Sequence, residues 1–319
     1  MDSLWGEILP VASENVHPLH DGDLTQAGGL TFEALDSPGH ARHHMVYRLG
    51  NVAFTGDYKF ERTRLFDPAV CNFPRLETLV TEATYGGANS LQPSRKEAEV
   101  NLIKVVKETV NKGGKVIIPA FSVGRSQEVM VVLEEAIRKK VVDEVPVYLD
   151  GMIYEATAIH TSYPEYLNND LRDLIFHKGI NPFLAQCFVQ VETPKQRTEV
   201  IEGPPCVILA TSGMLNGGPV LEYLKRLGPD EKNTLVIVGY QAEGTLGRRI
   251  QKGWKDVHWN QVLPPGLERP FLRLGHLVAP FDKPPWLTAL AGTAHAAQVA
   301  QALLQRPFRA YYIGTDLLP

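Results

Sequence analysis

Two residues near the start of the chain have the types and spacing expected of a metal site. His40 closes the string SPGH, and Asp57 closes the string FTGD seventeen residues later. An imidazole and a carboxylate are suitable ligands for zinc or a similar divalent ion, and the two oxygens of Asp57 could bridge two ions. Of the neighbouring His43 and His44, at most one can face the same site. Either string alone is more often a structural turn, but together they predict a cation site where two strand ends meet.

Short strands must position these two residues, and the rest of the chain indicates a different architecture. Residues 29–35 alternate apolar and polar side chains, and residues 44–55 contain two such runs around a glycine turn, so both regions predict strands. Between residues 76 and 241 strands alternate with helices, which predicts a mainly parallel sheet with helices on both faces. The strands are predicted at 76–87, 115–121, 145–151, 205–214 and 233–241, and the helices at 94–114, 124–140, 154–177 and 218–228. The tail predicts a helix at 291–305 and a strand at 308–316.

Composition limits the classes of function. The chain has 319 residues, enough for two domains, with 44% apolar and 21% charged residues, as in globular proteins. Its net charge of -4 provides no overall basic field, so a nucleic-acid contact would need a local basic surface. No run approaches the roughly 18 apolar residues of a membrane span, and the first residues lack the pattern of a secretory signal. Three cysteines without CxxC spacing favour reduced thiols and a cytoplasmic location.

The strings around these residues resemble a known superfamily. SPGH, the strand pair and FTGD resemble the third and fourth motifs of the metallo-β-lactamase fold. Residues 53–253 resemble its β-CASP branch, and within it the archaeal relatives of the cleavage-and-polyadenylation nuclease. The strings that carry this second resemblance are FTGDYKF, RLETLVTEATYGG, GGKVIIPAFSVGRSQEVMVVLEE, VPVYLDGMIYEATAIHTSYPEYL, ATSGMLNGGPVLEYLKRL and GYQAEGTLGRRIQ. The resemblance implies an α/β fold with a partial metallo-β-lactamase αββα half at 1–90, an inserted β-CASP domain at 91–253, and a C-terminal segment, 254–319, that completes the first domain.

The same resemblance implies roles for individual residues. Intact relatives would be ribonucleases with two zinc ions, in which His40 and Asp57 bind metal and Asp57 and Glu82 take part in catalysis. The alternative for Glu82 is a carboxylate that caps the next loop.

Single-stranded RNA is the partner that the resemblance implies. The residues expected to contact it are Arg125, Ser212, Gly213, Tyr240, Gln241 and Arg248. Backbone N–H groups of a glycine loop after a buried strand can hold a phosphate, arginine adds charge, and stacking on a ring contributes roughly 1–3 kcal/mol per base. The alternative for the glycine loop is an ordinary strand-to-helix turn.

Several motifs of the family are not found in the sequence. The HxHxDH string that supplies most of the zinc ligands has its nearest match in HPLHDGD, whose His17 and His20 we interpret as surface residues. The later histidine strings of the family are also not found. The remaining histidines of the tail, which match no motif, are His258, His276 and His295. Fourteen of the fifteen lysines lie in residues 53–255, which suggests a fusion of two sources, with chance drift in composition between domains as the alternative. Residues 1–52 resemble the interior of a small bacterial glyoxalase-like hydrolase of the same fold.

Three functions are compatible with this pattern. The first is zinc-dependent hydrolysis of RNA phosphodiester bonds in RNA processing or decay. The second is a catalytically deficient RNA-binding remnant or chimera of such a nuclease, motivated by the ligand motifs that are not found. The third, suggested by the glyoxalase-like opening, is hydrolysis of a small ester or thioester. An open sheet edge in the first domain would also favour a homodimer.

Overall fold

The computed structural model of the chain contains two compact units. Unit 1 comprises Met1–Glu61, Pro68–Gly87 and Ala291–Pro319, and unit 2 comprises Arg62–Asp67 and Ala88–Leu290. The structure describes residues 13–59, 61–69, 73, 75–84 and 93–253, together with the backbone of 256–257, 272–273, 277–278 and 309–313.

Strands and helices follow one another in the predicted order through the middle of the chain. The strands are β1 (Leu24–Ala27), β2 (Leu30–Asp36), β3 (Met45–Leu49), β4 (Val52–Phe54), β5 (Thr78–Glu82), β6 (Val116–Pro119), β7 (Val147–Asp150), β8 (Phe188–Val191), β9 (Val207–Ala210), β10 (Thr234–Val236), β11 (Asp256–Val257), β12 (Leu272–Arg273), β13 (Leu277–Val278) and β14 (Arg309–Ile313). The helices are α1 (Arg95–Asn111), α2 (Arg125–Arg138), α3 (Ile153–Ser162), α4 (Asn169–Arg172), α5 (Pro194–Glu202), α6 (Val220–Leu227) and α7 (Leu246–Gln251). The sequence did not predict β1, β8, β11, β12, β13, α5 and α7. No helix in the described ranges is long and apolar enough to cross a membrane.

The strands of unit 1 form one sheet in the order β1-β2-β3-β4-β5-β14. Strands β1 to β4 pair antiparallel, whereas β5 pairs parallel with both β4 and β14. The predicted hairpin is confirmed, because Gly50 turns the chain between β3 and β4 with φ +56°, which glycine adopts at no steric cost. Strand β14 confirms the strand predicted at 308–316, and the helix predicted at 291–305 lies outside the described residues.

Unit 2 is built on a parallel sheet in the order β13-β10-β6-β9-β7-β8. Every residue of β6 and β9 is buried, as expected of parallel strands covered on both faces. Successive residues of β6 belong to different cores, because Val116 and Ile118 pack with residues of α1 and α2, whereas Ile117 packs with residues of α5, α6 and α7. The predicted parallel sheet with helices on both faces is therefore confirmed.

The short segment Arg62–Asp67 belongs to unit 2 although it lies within the first predicted domain. Leu65 is 1% exposed and joins the core of α1 and α2. The guanidinium of Arg64 donates two hydrogen bonds to Glu99, of 2.7 and 2.5 Å, and this contact raises the pKa of Arg64. The buried amide of Asn168 donates to two backbone carbonyls of the segment. The sequence, which predicted domains at 1–90, 91–253 and 254–319, did not single out this segment.

Candidate functional site

The structure brings His40 and Asp57 together in unit 1. His40 follows β2, Asp57 follows β4, and the Nε2 atom of His40 lies 3.7 Å from Oδ2 of Asp57. Two donors on neighbouring positions of a tetrahedral zinc ion lie about 3.4 Å apart when each ligand is about 2.0–2.2 Å from the metal. The pair therefore has the chemistry and nearly the separation required to share one ion. Both side chains are open to solvent, with 47% and 63% of their surfaces exposed.

His44 is the neighbouring histidine that faces this pair. Its ring lies edge-on to the ring of His40, with centroids 5.8 Å apart. Its Nε2 atom is 2.8 Å from the carbonyl oxygen of Thr55. Because a carbonyl oxygen only accepts hydrogen bonds, the proton of the neutral His44 ring resides on Nε2. His44 is therefore hydrogen-bonded to the loop that carries Asp57. Its Nε2 atom carries a proton and has no lone pair available to bind a metal ion.

Glu82 caps a loop in this structure, as in the alternative given above, and its catalytic role stays a prediction. Its Oε2 atom accepts a hydrogen bond of 2.7 Å from the backbone N–H of Thr84, so it caps the loop after β5. In the described ranges, no group of three or more His, Cys, Asp or Glu side chains converges as a metal site would require. Glu82 is thus not a third ligand beside His40 and Asp57.

The donors fit part of a zinc site and not a whole one. Structural zinc takes four protein ligands, and catalytic zinc usually takes three and a water. His40 and Asp57 fit two positions of one ion, and in the part of the chain that the structure describes no group of three such donors converges. His20 is an exposed residue whose Nδ1 lies 3.4 Å from Asp23, and His258, His276 and His295 lie outside the described residues.

The predicted phosphate loop lies at the carboxyl end of β9. The backbone N–H of Ser212 donates to the carbonyl of Gly217, and its Oγ accepts from the N–H of Asn216 at 3.1 Å. A Cβ atom at Gly213 would lie 2.9 Å from the backbone nitrogen of Phe121, so the glycine allows two loops to approach each other. The polar groups of Ser212 thus close a tight turn, and a phosphate would have to compete with these bonds.

Gln241 is a correction to the predicted RNA contacts. Its side chain is 2% exposed and cannot touch a ligand in this conformation. Its Nε2 atom donates to the carbonyl of Gly213 at 2.8 Å and to that of Gly239 at 3.3 Å. The amide therefore fastens the loop after β10 to the loop after β9. The adjacent Tyr240 is partly exposed, as a stacking residue would need to be.

The two predicted arginines are both paired with carboxylates. Arg125, the first residue of α2, donates to Glu128 at 2.5 Å, and Arg95 holds the other oxygen of that carboxylate at 2.8 Å. Arg248 lies 3.4 Å from Glu243 in an exposed pair. A hydrogen bond from a neighbouring lysine lowers the pKa of Glu243, so this carboxylate stays ionised. Exposed pairs of this kind are weak, and a phosphate can replace the carboxylate at Arg248.

Sequence reasoning missed a set of exposed apolar residues at the same edge of the sheet. Phe121 and Val123 follow β6, and Met152 and Tyr154 follow β7, and all four are exposed. The two strands flank β9, so their carboxyl ends meet at the Ser212–Gly213 turn. The only signal in the sequence is that these apolar residues lie two to four positions after a buried strand, and such a position does not by itself tell exposure from packing.

Comparison with known proteins identifies the middle of the chain. The family described as the Beta-Casp domain matches residues 126–250. A transcription termination factor FttA from Methanosarcina mazei is 66% identical over 215 residues, which is 67% of this chain and 34% of that protein. Those from Methanocaldococcus jannaschii and Thermococcus kodakarensis are 52% and 57% identical over 79% of this chain and 42% and 38% of theirs. The chain thus spans about two fifths of the length of these relatives.

The residues that match the Beta-Casp domain lie in unit 2, the unit that contains the parallel sheet and its helices. The three relatives are each more than half identical to this chain over the aligned residues. A solved protein of unknown function from Enterococcus faecalis V583 has a TM-score of 0.42 and 10% identity to this chain, covering 94% of it and 61% of the solved chain, too low a similarity to support a conclusion. The chain belongs to the β-CASP branch of the metallo-β-lactamase superfamily.

Proposed function

We propose that the chain binds single-stranded RNA through the carboxyl edge of the unit 2 sheet, as part of an RNA-processing factor. The observation that carries the proposal is the position of exposed aromatic and basic groups at that edge, of which Tyr154 and Arg248 lie within the residues that match the Beta-Casp domain. The curated relatives are named transcription termination factors, and termination is a process in which a nascent transcript has to be engaged.

Arg248 and Arg226 offer a matched test of this proposal. Arg248 lies beside the loop after β10 and is 43% exposed, whereas Arg226, 47% exposed, pairs with Glu202 at 3.3 Å near the end of α6. Fluorescence anisotropy with a labelled single-stranded RNA should give weaker binding for Arg248→Ala and unchanged binding for Arg226→Ala. Equal affinities for the two variants and the unmodified chain would count against an RNA contact at this edge.

Zinc-dependent hydrolysis of RNA phosphodiester bonds is the finer proposal for the same protein. His40 and Asp57 would hold the metal, Asp57 and Glu82 would serve the reaction, and bound zinc would lower the pKa of a water towards about 7. The proposal is supported by the pair of donors 3.7 Å apart and by the family, whose members use metal ions. Metal analysis of the purified chain and cleavage of end-labelled RNA, compared with Asp57→Asn, test it directly.

An RNA-binding protein without hydrolysis is the second candidate, and the donor count favours it. In the described ranges His40 and Asp57 come together without a third such side chain, whereas catalytic zinc usually takes three protein ligands. If this candidate is right, the purified chain should bind RNA, contain less than one zinc ion per chain and give no cleavage products. Zinc-dependent turnover by the purified chain would exclude it. The small-ester or thioester hydrolase considered from the sequence has no observation in its favour, and the homodimer and the cytoplasmic location stay predictions.

A further inference from the structure

His44 fastens the loop that carries His40. The backbone N–H of Ser37 donates to the carbonyl oxygen of His44 at 2.7 Å, which closes the loop between β2 and β3. The ring of His44 then lies edge-on to the ring of His40, 5.8 Å from centroid to centroid. A backbone bond therefore anchors His44 at the base of this loop, and its ring lies beside the imidazole that the loop presents.

The side chain of His44 also fastens the loop that carries Asp57. Its Nε2–H donates to the carbonyl oxygen of Thr55 at 2.8 Å. Gly56 follows with φ +58°, and a Cβ atom at that position would lie 2.8 Å from Nε2 of His44. The ring thus occupies the space that any other side chain at position 56 would need, and the turn before Asp57 is shaped around it.

The opposite side of this turn is fixed by β5. The backbone N–H of Thr55 donates to the carbonyl of Val80 at 3.0 Å, and the hydroxyl of Thr55 lies 3.0 Å from that of Thr81. Thr55 is therefore held on one side by the strand and on the other by His44. Removing the His44 contact would leave the turn attached on one side only.

Burial does not hold the two candidate ligands themselves in place. The side chains of His40 and Asp57 are about half exposed, so their 3.7 Å separation depends on the backbone of the two loops. We propose that His44 is a positioning residue, which holds the loops of His40 and Asp57 at the separation at which they can share one divalent cation. The cation belongs to the proposed function, whereas the positioning can be measured without any metal.

The experiment compares His44→Ala, His44→Gln and His17→Ala in the full chain. A glutamine keeps an N–H donor near the position of Nε2, and His17 is an exposed histidine that serves as the control. Amide hydrogen exchange of the metal-free protein should be at least about tenfold faster in peptides covering 55–59 of His44→Ala, because the bond from the ring to Thr55 is lost. His44→Gln and His17→Ala should stay within about threefold of the unmodified chain.

Titration with Zn²⁺ provides the second measurement. Residues that orient metal ligands change affinity by about 10–100-fold when removed, so His44→Ala should bind about tenfold more weakly and His44→Gln nearly normally. Unchanged exchange in His44→Ala, or no rescue by His44→Gln, would overturn the positioning role. A thermal midpoint lowered equally in both variants would indicate a general packing role and also count against it. If exchange responds but the unmodified chain binds no Zn²⁺, both the cation-sharing purpose and the zinc part of the proposed function fail, while RNA binding is judged by its own assay.

Discussion

At the scale of single residues, Tyr154 and Tyr163 lie at opposite ends of helix α3. Tyr154 lies in the first turn of α3, next to the carboxyl end of β7, and Tyr163 caps the other end of the helix. Both rings are about half exposed. A base that binds at the carboxyl edge of the sheet can stack on Tyr154 and not on Tyr163, because nine residues of helix span about 14 Å.

We therefore expect Tyr154→Ala to weaken binding of single-stranded RNA by about 5- to 160-fold, since stacking contributes about 1–3 kcal/mol per base. Tyr163→Ala removes a ring of similar exposure at the far end of α3 and should bind as the unmodified chain does. Anisotropy titrations of the two variants check the prediction. A larger loss for Tyr163→Ala than for Tyr154→Ala would place the RNA elsewhere on unit 2.

His160 predicts a dependence of stability on pH. Its Nδ1–H donates to the carbonyl of Ala156 at 2.8 Å, and its ring packs near Phe183. Burial lowers the pKa of His160 in the folded chain, so below its unfolded pKa of about 6.5 the unfolded state binds more protons. Well above pH 6.5 the ring is neutral in both states, so its titration does not affect the free energy of unfolding. As the pH falls below about 6.5, the unfolded chain takes up the proton first, and the free energy of unfolding should fall.

The variant His160→Asn keeps a donor for Ala156 and removes the titrating group. Urea unfolding at pH 7.5 and pH 5.5 should therefore show a smaller loss of stability for this variant than for the unmodified chain. Identical losses would show that another group is responsible.

At the scale of elements, one buried carboxylate joins three parts of unit 2. Asp150, at the end of β7, is 1% exposed and accepts bonds of 2.8 and 3.0 Å from Arg197 of α5. It also accepts a bond of 2.8 Å from the hydroxyl of Tyr223 in α6. These bonds raise the pKa of Arg197, and burial together with Asp150 raises the pKa of Tyr223, so the guanidinium stays charged and the phenol stays neutral. These bonds to both carboxylate oxygens offset the free energy that is needed to remove the charge of Asp150 from water.

Tyr223→Phe should lower the free energy of unfolding by about 1.5–3 kcal/mol, the range for hydrogen bonds to charged groups. The ring remains in place and only the bond to Asp150 is lost. Urea denaturation measures the change, with the exposed Tyr163→Phe as a control that should stay within about 0.5 kcal/mol. If Tyr223→Phe left the free energy of unfolding unchanged, the bonds from Arg197 alone would be enough to stabilise the buried carboxylate of Asp150.

At the scale of the whole molecule, periodicity predicted the sheet of unit 2, because strands buried on both faces read as apolar runs such as VIIP and VILA. Helix α5 was missed although Thr193 and Gln196 form a capping box at its start, since its nine residues show little apolar periodicity. Similarly, β8 was missed because it is an edge strand with half-exposed residues.

The candidate site was predictable only in part. The juxtaposition of His40 and Asp57 followed from two motifs at strand ends, which local sequence encodes. The local cap of Glu82 on Thr84 was one of two alternatives that the sequence allowed. The bond between His44 and Thr55 and the burial of Gln241 depend on which loops pack together, and no spacing along the chain specifies that.

The net charge of the chain leads to a prediction about how the affinity for RNA depends on salt. The chain carries -4 overall, so attraction to RNA must come from a few local contacts and not from a broad basic field. If Arg125 and Arg248 each neutralise one phosphate, log K should fall with log salt with a slope of about −1.4, since each contact on a single strand contributes about −0.7. Arg248→Ala should reduce the slope to about −0.7, and Arg226→Ala should leave it unchanged. Anisotropy titrations between 50 and 300 mM salt measure these slopes, and a value steeper than about −3 for the unmodified chain would require a larger basic surface than these two arginines provide.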